Sequence, residues 1–151
     1  MNRADLLLGA FPRLEEAGFD VTSPATPEYN CIAFAADDQS RWWWPTPFGA
    51  AQLGGYYWPA GVPVAETLES FVQAYATLGY AECGNGDLEP GFEKIAIYSL
   101  AGSPTHAARQ LESGVWVSKL GGAEDIEHAA ATGVCGAAYG EVALYMRRPR
   151  G

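Results

Sequence analysis

The apolar residues of this chain change their spacing once, and that change limits the folds open to it. Over residues 64–78, Leu68, Phe71, Val72, Tyr75 and Leu78 recur at helical spacing, whereas beyond Gly84-Asn85-Gly86-Asp87 the pattern alternates. Apolar side chains three or four apart form one stripe of a helix, and alternate ones form one face of a strand. Residues 94–98, 105–111 and 115–119 read as strands, with Glu112-Ser113-Gly114 as the hairpin turn between the last two. A short helix is expected over 123–130 and a closing strand over 141–147. In the first half, Leu7, Ala10, Phe11 and Leu14 put an amphipathic helix at 4–17, which Pro12 kinks or shortens. The apolar, alanine-rich run at 31–36 suits a short buried helix. Helices first and an antiparallel sheet second make an α+β pattern: N-terminal helices packed on the sheet in a single domain spanning 1–151.

The 151 residues carry 9 Lys and Arg against 18 Asp and Glu, a formal net charge of -9. That balance argues against nucleic acid or an anionic membrane as partner. No stretch approaches the length of a membrane span, and the N-terminal residues make a poor secretion signal. Cytoplasmic residence is the default expectation, and export without a cleaved signal stays open. Cys31, Cys83 and Cys135 are odd in number and widely spaced, so no disulfide framework is expected. No Cys-x-x-Cys or His-x-x-x-His pair suggests a metal, and no phosphate loop or Gly-x-Ser-x-Gly elbow occurs. No cofactor is expected.

What remains is a cysteine opening a helix and a histidine opening a strand. Cys31 follows Tyr29-Asn30, where the free N–H groups of a helix start favour a thiolate. His106 follows Pro104-Thr105 and shares a strand face with Ala108 and Gln110, and the small alanines beside it leave room for a substrate or a helix. An imidazole there could take the thiol proton and return it to a leaving group.

The order of cysteine helix, histidine strand and polar residue on the next strand resembles the papain-like NlpC and CHAP cysteine hydrolases. In that pattern the residue orienting the histidine lies about a dozen positions beyond it, which here is Ser118. The likeness spans roughly residues 29–121. The chain also resembles uncharacterised bacterial proteins that share its YNCIAFA, THAARQL and SKLG strings. The resemblance implies hydrolysis of a peptide, amide or acyl bond with Cys31, His106 and Ser118 as catalytic residues. Where the hydrolases usually carry Asp before the cysteine and Ser-Gly after it, this chain has Asn30 and Ile32-Ala33. Serine is also a weaker acceptor than their usual third residue, so Glu127, His128 or a backbone carbonyl are the alternative orienting groups. The Cys31 N–H is the natural oxyanion donor, with Tyr29 or Asn30 beside it.

Each of these residues has a plainer reading. Cys31 suits a packed helix; His106 and Ser118 suit an ordinary sheet; His128 suits the surface or cap of a short polar helix. The aromatic runs Trp42-Trp43-Trp44 and Tyr56-Tyr57-Trp58 either wall a substrate groove, with Trp43 and Trp44 nearest the cysteine, or fill the core under a long loop. A second class of function, a non-catalytic interaction module such as a toxin-neutralising partner, would use the acidic and aromatic surface to bind a protein.

Overall fold

The structure, a computed structural model, describes residues 11–12, 19–23, 29–39, 42–45, 56–119, 125–136 and 138–150. The helix expected at 4–17 lies almost entirely outside the described residues. An antiparallel sheet organises the rest. Its strands are β1 (Phe19–Ser23), β4 (Ala81–Cys83), β5 (Phe92–Leu100), β6 (Ser103–Gln110), β7 (Trp116–Lys119), β8 (Asp125–His128) and β9 (Glu141–Pro149). They lie in the order β1-β8-β7-β6-β5-β9-β4. Two short strands, β2 (Trp42–Trp43) and β3 (Tyr56–Tyr57), pair in parallel apart from it. Helices α1 (Cys31–Ala35) and α2 (Leu68–Ala76) complete the α+β architecture.

The two helices share one face of the sheet. Ile32, Phe34, Phe71 and Tyr75 pack there against Ile95, Ile97, Ala107, Val117 and Met146. The Tyr75 hydroxyl donates to the Ile32 carbonyl (2.8 Å) and ties α2 to α1. Alternate residues of the same strands, Ala96, Tyr98, Ala108, Trp116 and Ile126, build a second cluster on the other face with Ala131, Val134 and Cys135. Burying both faces is what makes Ile95-Ala96-Ile97-Tyr98 of β5 an unbroken apolar run.

The helix expected over 64–78 is shorter, because the Thr67 hydroxyl accepts from the Ser70 N–H and sets the start at Leu68. The β5–β6 turn is made by Ala101 and Gly102, both at positive φ, the backbone a two-residue hairpin demands. Gly114, also at positive φ, serves the β6–β7 turn.

One expected element is corrected. The described part of 123–130, residues 125–130, holds no helix: Asp125–His128 is strand β8, followed by a 3-10 turn at Ala131–Val134. The alanines favour helix, but β7 offers a ladder in which Ser118 opposes Ile126 and Trp116 opposes His128. Pairing on both sides, with β7 and β1, overrides local propensity.

Candidate functional site

Cys31 is the first residue of α1, and Asn30 is its cap. The Asn30 Oδ1 accepts from the N–H groups of Ala33 (3.1 Å) and Trp43 (3.1 Å), while its Nδ2 donates to the Trp43 carbonyl (2.8 Å). One amide therefore starts the helix and anchors the tryptophan segment to it. The thiol is only 6% exposed. Burial pushes its pKa up to about 11, outweighing the pull of the Ala107, Ile32 and Cys31 backbone N–H groups and of the Lys119 charge. The thiolate expected from the helix start is thus not the resting form, because a five-residue helix contributes less than desolvation removes.

His106, Ser118 and His128 form a hydrogen-bonded chain on the other face. In the β6–β7 and β7–β8 ladders they are diagonal neighbours whose side chains point the same way. His106 Nε2 lies 3.0 Å from Ser118 Oγ, which lies 2.8 Å from His128 Nε2. His128 Nδ1 is 2.7 Å from the Ala130 carbonyl. The His106 ring stacks flat on Tyr139, with centroids 4.0 Å apart, and meets Tyr98 edge-on. Burial holds His106 well below the usual imidazole range, with the nearby His128 adding to the effect. Burial brings His128 down to about 4, so both rings are neutral at pH 7. His128 is therefore no surface or capping group.

The structure brings His106 and Ser118 together and leaves Cys31 across the strand from them. Ala107 packs in the helix-side cluster with Cys31, while Tyr98, which opposes His106 on β5, belongs to the other cluster. The pleat accordingly turns the imidazole away from α1. No hydrogen bond joins the two groups: His106 Nδ1 has no partner among the described residues.

The two nonetheless flank one seam. Among the described residues the β6–β7 ladder pairs Arg109 with Val117 and Gln110 with Trp116. The Ala107 N–H lowers the Cys31 pKa and so lies near the thiol. The His106 ring crosses the same seam to reach Ser118.

The residues expected to bind substrate are mostly committed inward. Tyr29 is buried, stacks on Phe34 and donates its hydroxyl to Asp125 (2.5 Å). Asn30 is occupied as described. Trp43 is 3% exposed and donates its indole N–H to Asp38 (2.9 Å). Trp44 is half-buried, edge-on to Phe71. Trp43 and Trp44 thus fill core on the helix side. Two hollows open among the described residues. One of about 480 Å³ is lined by Leu88, Glu89, Phe92 and Arg150, and one of about 340 Å³ by Gly86, Gln110, Trp116 and Tyr145. Neither includes Cys31 or His106.

Sequence reasoning missed Lys119, which is fully buried with its ammonium over the Tyr29 ring (5.2 Å) and its charge felt at the thiol. The missed signal was its place one residue after Ser118, which alternation turns to the helix side. Glu127 opposes Val117 on β7, on the face away from His106. Cys83 is a free thiol, and among the described residues no cluster of three or more metal-ligating side chains occurs. No helix of the described residues is long and apolar enough to cross a membrane.

A family model for a domain of unknown function, DUF7689, matches residues 20–147. The chain belongs to that family, and the match takes in every residue of the candidate site. No curated protein and no solved structure matches it.

Proposed function

We propose that the domain is a cysteine hydrolase of the amidase or peptidase type on a papain-like, NlpC-type scaffold. The observation that carries this reading is the buried Nδ1 of His106, without a partner among the described residues and one residue from the N–H that lowers the Cys31 pKa. A buried lone pair left without a donor costs on the order of 1–3 kcal/mol, and a base waiting for a proton accounts for that cost. The Nε2 bond to Ser118, at the spacing the resemblance implies, supports the same assignment.

In this mechanism His106 Nδ1 takes the thiol proton, and the Cys31 sulfur attacks the carbonyl carbon of an amide, peptide or acyl substrate. The Cys31 and Ile32 N–H groups that face the sulfur are placed to hold the oxyanion. Collapse of the tetrahedral adduct breaks the bond to the leaving group, which takes the proton from His106. Water, deprotonated by the same nitrogen, then hydrolyses the thioester and returns the thiol. Because both groups are buried, turnover requires the seam between β6 and β7 to open to substrate. The acidic balance of the chain disfavours nucleic acid as a ligand.

A second reading is a non-catalytic interaction module that keeps the scaffold and binds a protein through its acidic and aromatic surface. The burial of the thiol and the turn of the buried His106 away from α1 favour it. Alkylation by iodoacetamide at pH 7, followed peptide by peptide, separates the two. For a hydrolase, Cys31 reacts at least about tenfold faster than Cys83 and Cys135, and His106→Ala removes the advantage. Equal rates at the three thiols, or silence at Cys31, select the module. Muropeptides, isopeptides and acyl esters, with Cys31→Ala as control, then test for turnover.

A further inference from the structure

We infer that His128 is a positioning residue that sets the tautomer of His106 through the Ser118 hydroxyl. This rests on the hydrolase reading for its purpose but not for its chemistry.

Donors and acceptors along the chain leave one consistent arrangement. A carbonyl only accepts, so the His128 Nδ1 that lies 2.7 Å from the Ala130 oxygen carries the proton of that ring. A neutral His128 then presents a bare lone pair at Nε2. Ser118 has a single hydroxyl proton, and at 2.8 Å from that nitrogen it is donated there. The Ser118 oxygen is left as an acceptor, so the partner at 3.0 Å, His106 Nε2, carries a proton in turn. A neutral His106 with its proton on Nε2 has its lone pair on Nδ1, the atom without a partner.

The backbone carbonyl thus fixes three side chains in series. Without the His128 acceptor, the Ser118 hydroxyl is free to donate to His106 Nε2 instead, which moves the proton of that ring to Nδ1. A base for the thiol becomes a blocked nitrogen. Ser118 alone, being both donor and acceptor, cannot enforce the choice, and His128 removes the ambiguity.

Nitrogen chemical shifts of the two histidines, measured on the ¹⁵N-labelled full chain at pH 7, report which ring nitrogen is protonated. The expected result is Nε2–H at His106 and Nδ1–H at His128. A protonated Nδ1 at His106 in the unaltered chain overturns the inference without any variant having to fold. His128→Leu is expected to move His106 toward Nδ1–H and to slow Cys31 alkylation at least about tenfold. His128→Gln, whose side-chain oxygen still accepts from Ser118, is expected to restore the Nε2–H form and bring the rate back within about threefold of the parent. A His106 tautomer indifferent to both variants also overturns it. If the tautomers behave as expected but Cys31 is no more reactive than Cys83 and Cys135, the hydrolase reading fails and the relay stands.

Discussion

The two faces of the sheet are built differently. The helix side is hydrocarbon and aromatic surface, with Phe71 and Tyr75 of α2 seated on Ile95, Ile97 and Met146, and its reactive group is a protonated thiol. The opposite side threads a polar chain of two imidazoles and a hydroxyl through an apolar cluster, with every bond but one made. One face is held by packing and the other by hydrogen bonds in low dielectric. The two halves of the proposed chemistry lie one on each.

The contrast predicts unequal responses to the loss of one side chain. Phe71 is fully buried, between the rings of Trp44 and Trp58. Phe71→Ala is expected to lower stability by about 3–5 kcal/mol, read as a reduced midpoint in urea. The His106 nitrogen shifts should stay unchanged while the variant remains folded. A relay disturbed by this cavity would mean that the faces are not separable.

Reading the sequence works best where one short stretch settles the question. Helix α2 was legible because its apolar stripe lies within a dozen residues, although the Thr67 cap that sets its start was not read. The pairing of His106 with Ser118 was legible because a hairpin brings residues twelve apart to one face whichever way the sheet packs. Strand β8 was not, because Ala123, Ala129 and Ala130 favour helix while one of its two ladders comes from β1, at the far end of the chain. His128 was misplaced with it. The face on which α1 packs against β6 was equally hidden: alternation tells which residues share a side, and only tertiary packing decides which side receives the cysteine.

Acid should act on the relay side before it acts on the thiol side. Both histidines have pKa values lowered by burial, His128 to about 4. Below about pH 6.5 the unfolded chain binds protons that the folded rings refuse, so this contribution is whole above pH 6.5 and falls away as the pH drops toward 4. Urea denaturation at pH 7.5 and 5 should show a loss of a few kcal/mol for the parent and a smaller one for His128→Leu. For Cys31 the sign is reversed: its raised pKa makes stability fall as the pH rises from about 9 toward 11, and Cys31→Ala should flatten that alkaline limb in part. An acid limb unaltered by His128→Leu would assign the sensitivity to carboxylates instead.

Asn30 carries the smallest effect and the most local one. Its Oδ1 serves two N–H groups and its Nδ2 one carbonyl, so Asn30→Ala removes a helix cap and both ties to Trp43. The expected loss is about 1–2 kcal/mol, less than for Phe71, because the α1 apolar contacts with Ala107 and Val117 remain. Asn30→Asp keeps the acceptor and should recover roughly half of that at neutral pH. Its sharper use lies in the thiol. The cap fixes where α1 begins, and therefore which N–H groups face sulfur at the seam. A change in Cys31 alkylation in Asn30→Ala, with Cys135 unaffected, would show that reactivity is set by the placement of the helix start. An unchanged rate would mean that the contact with the Ala107 N–H is enough to hold the thiol in place.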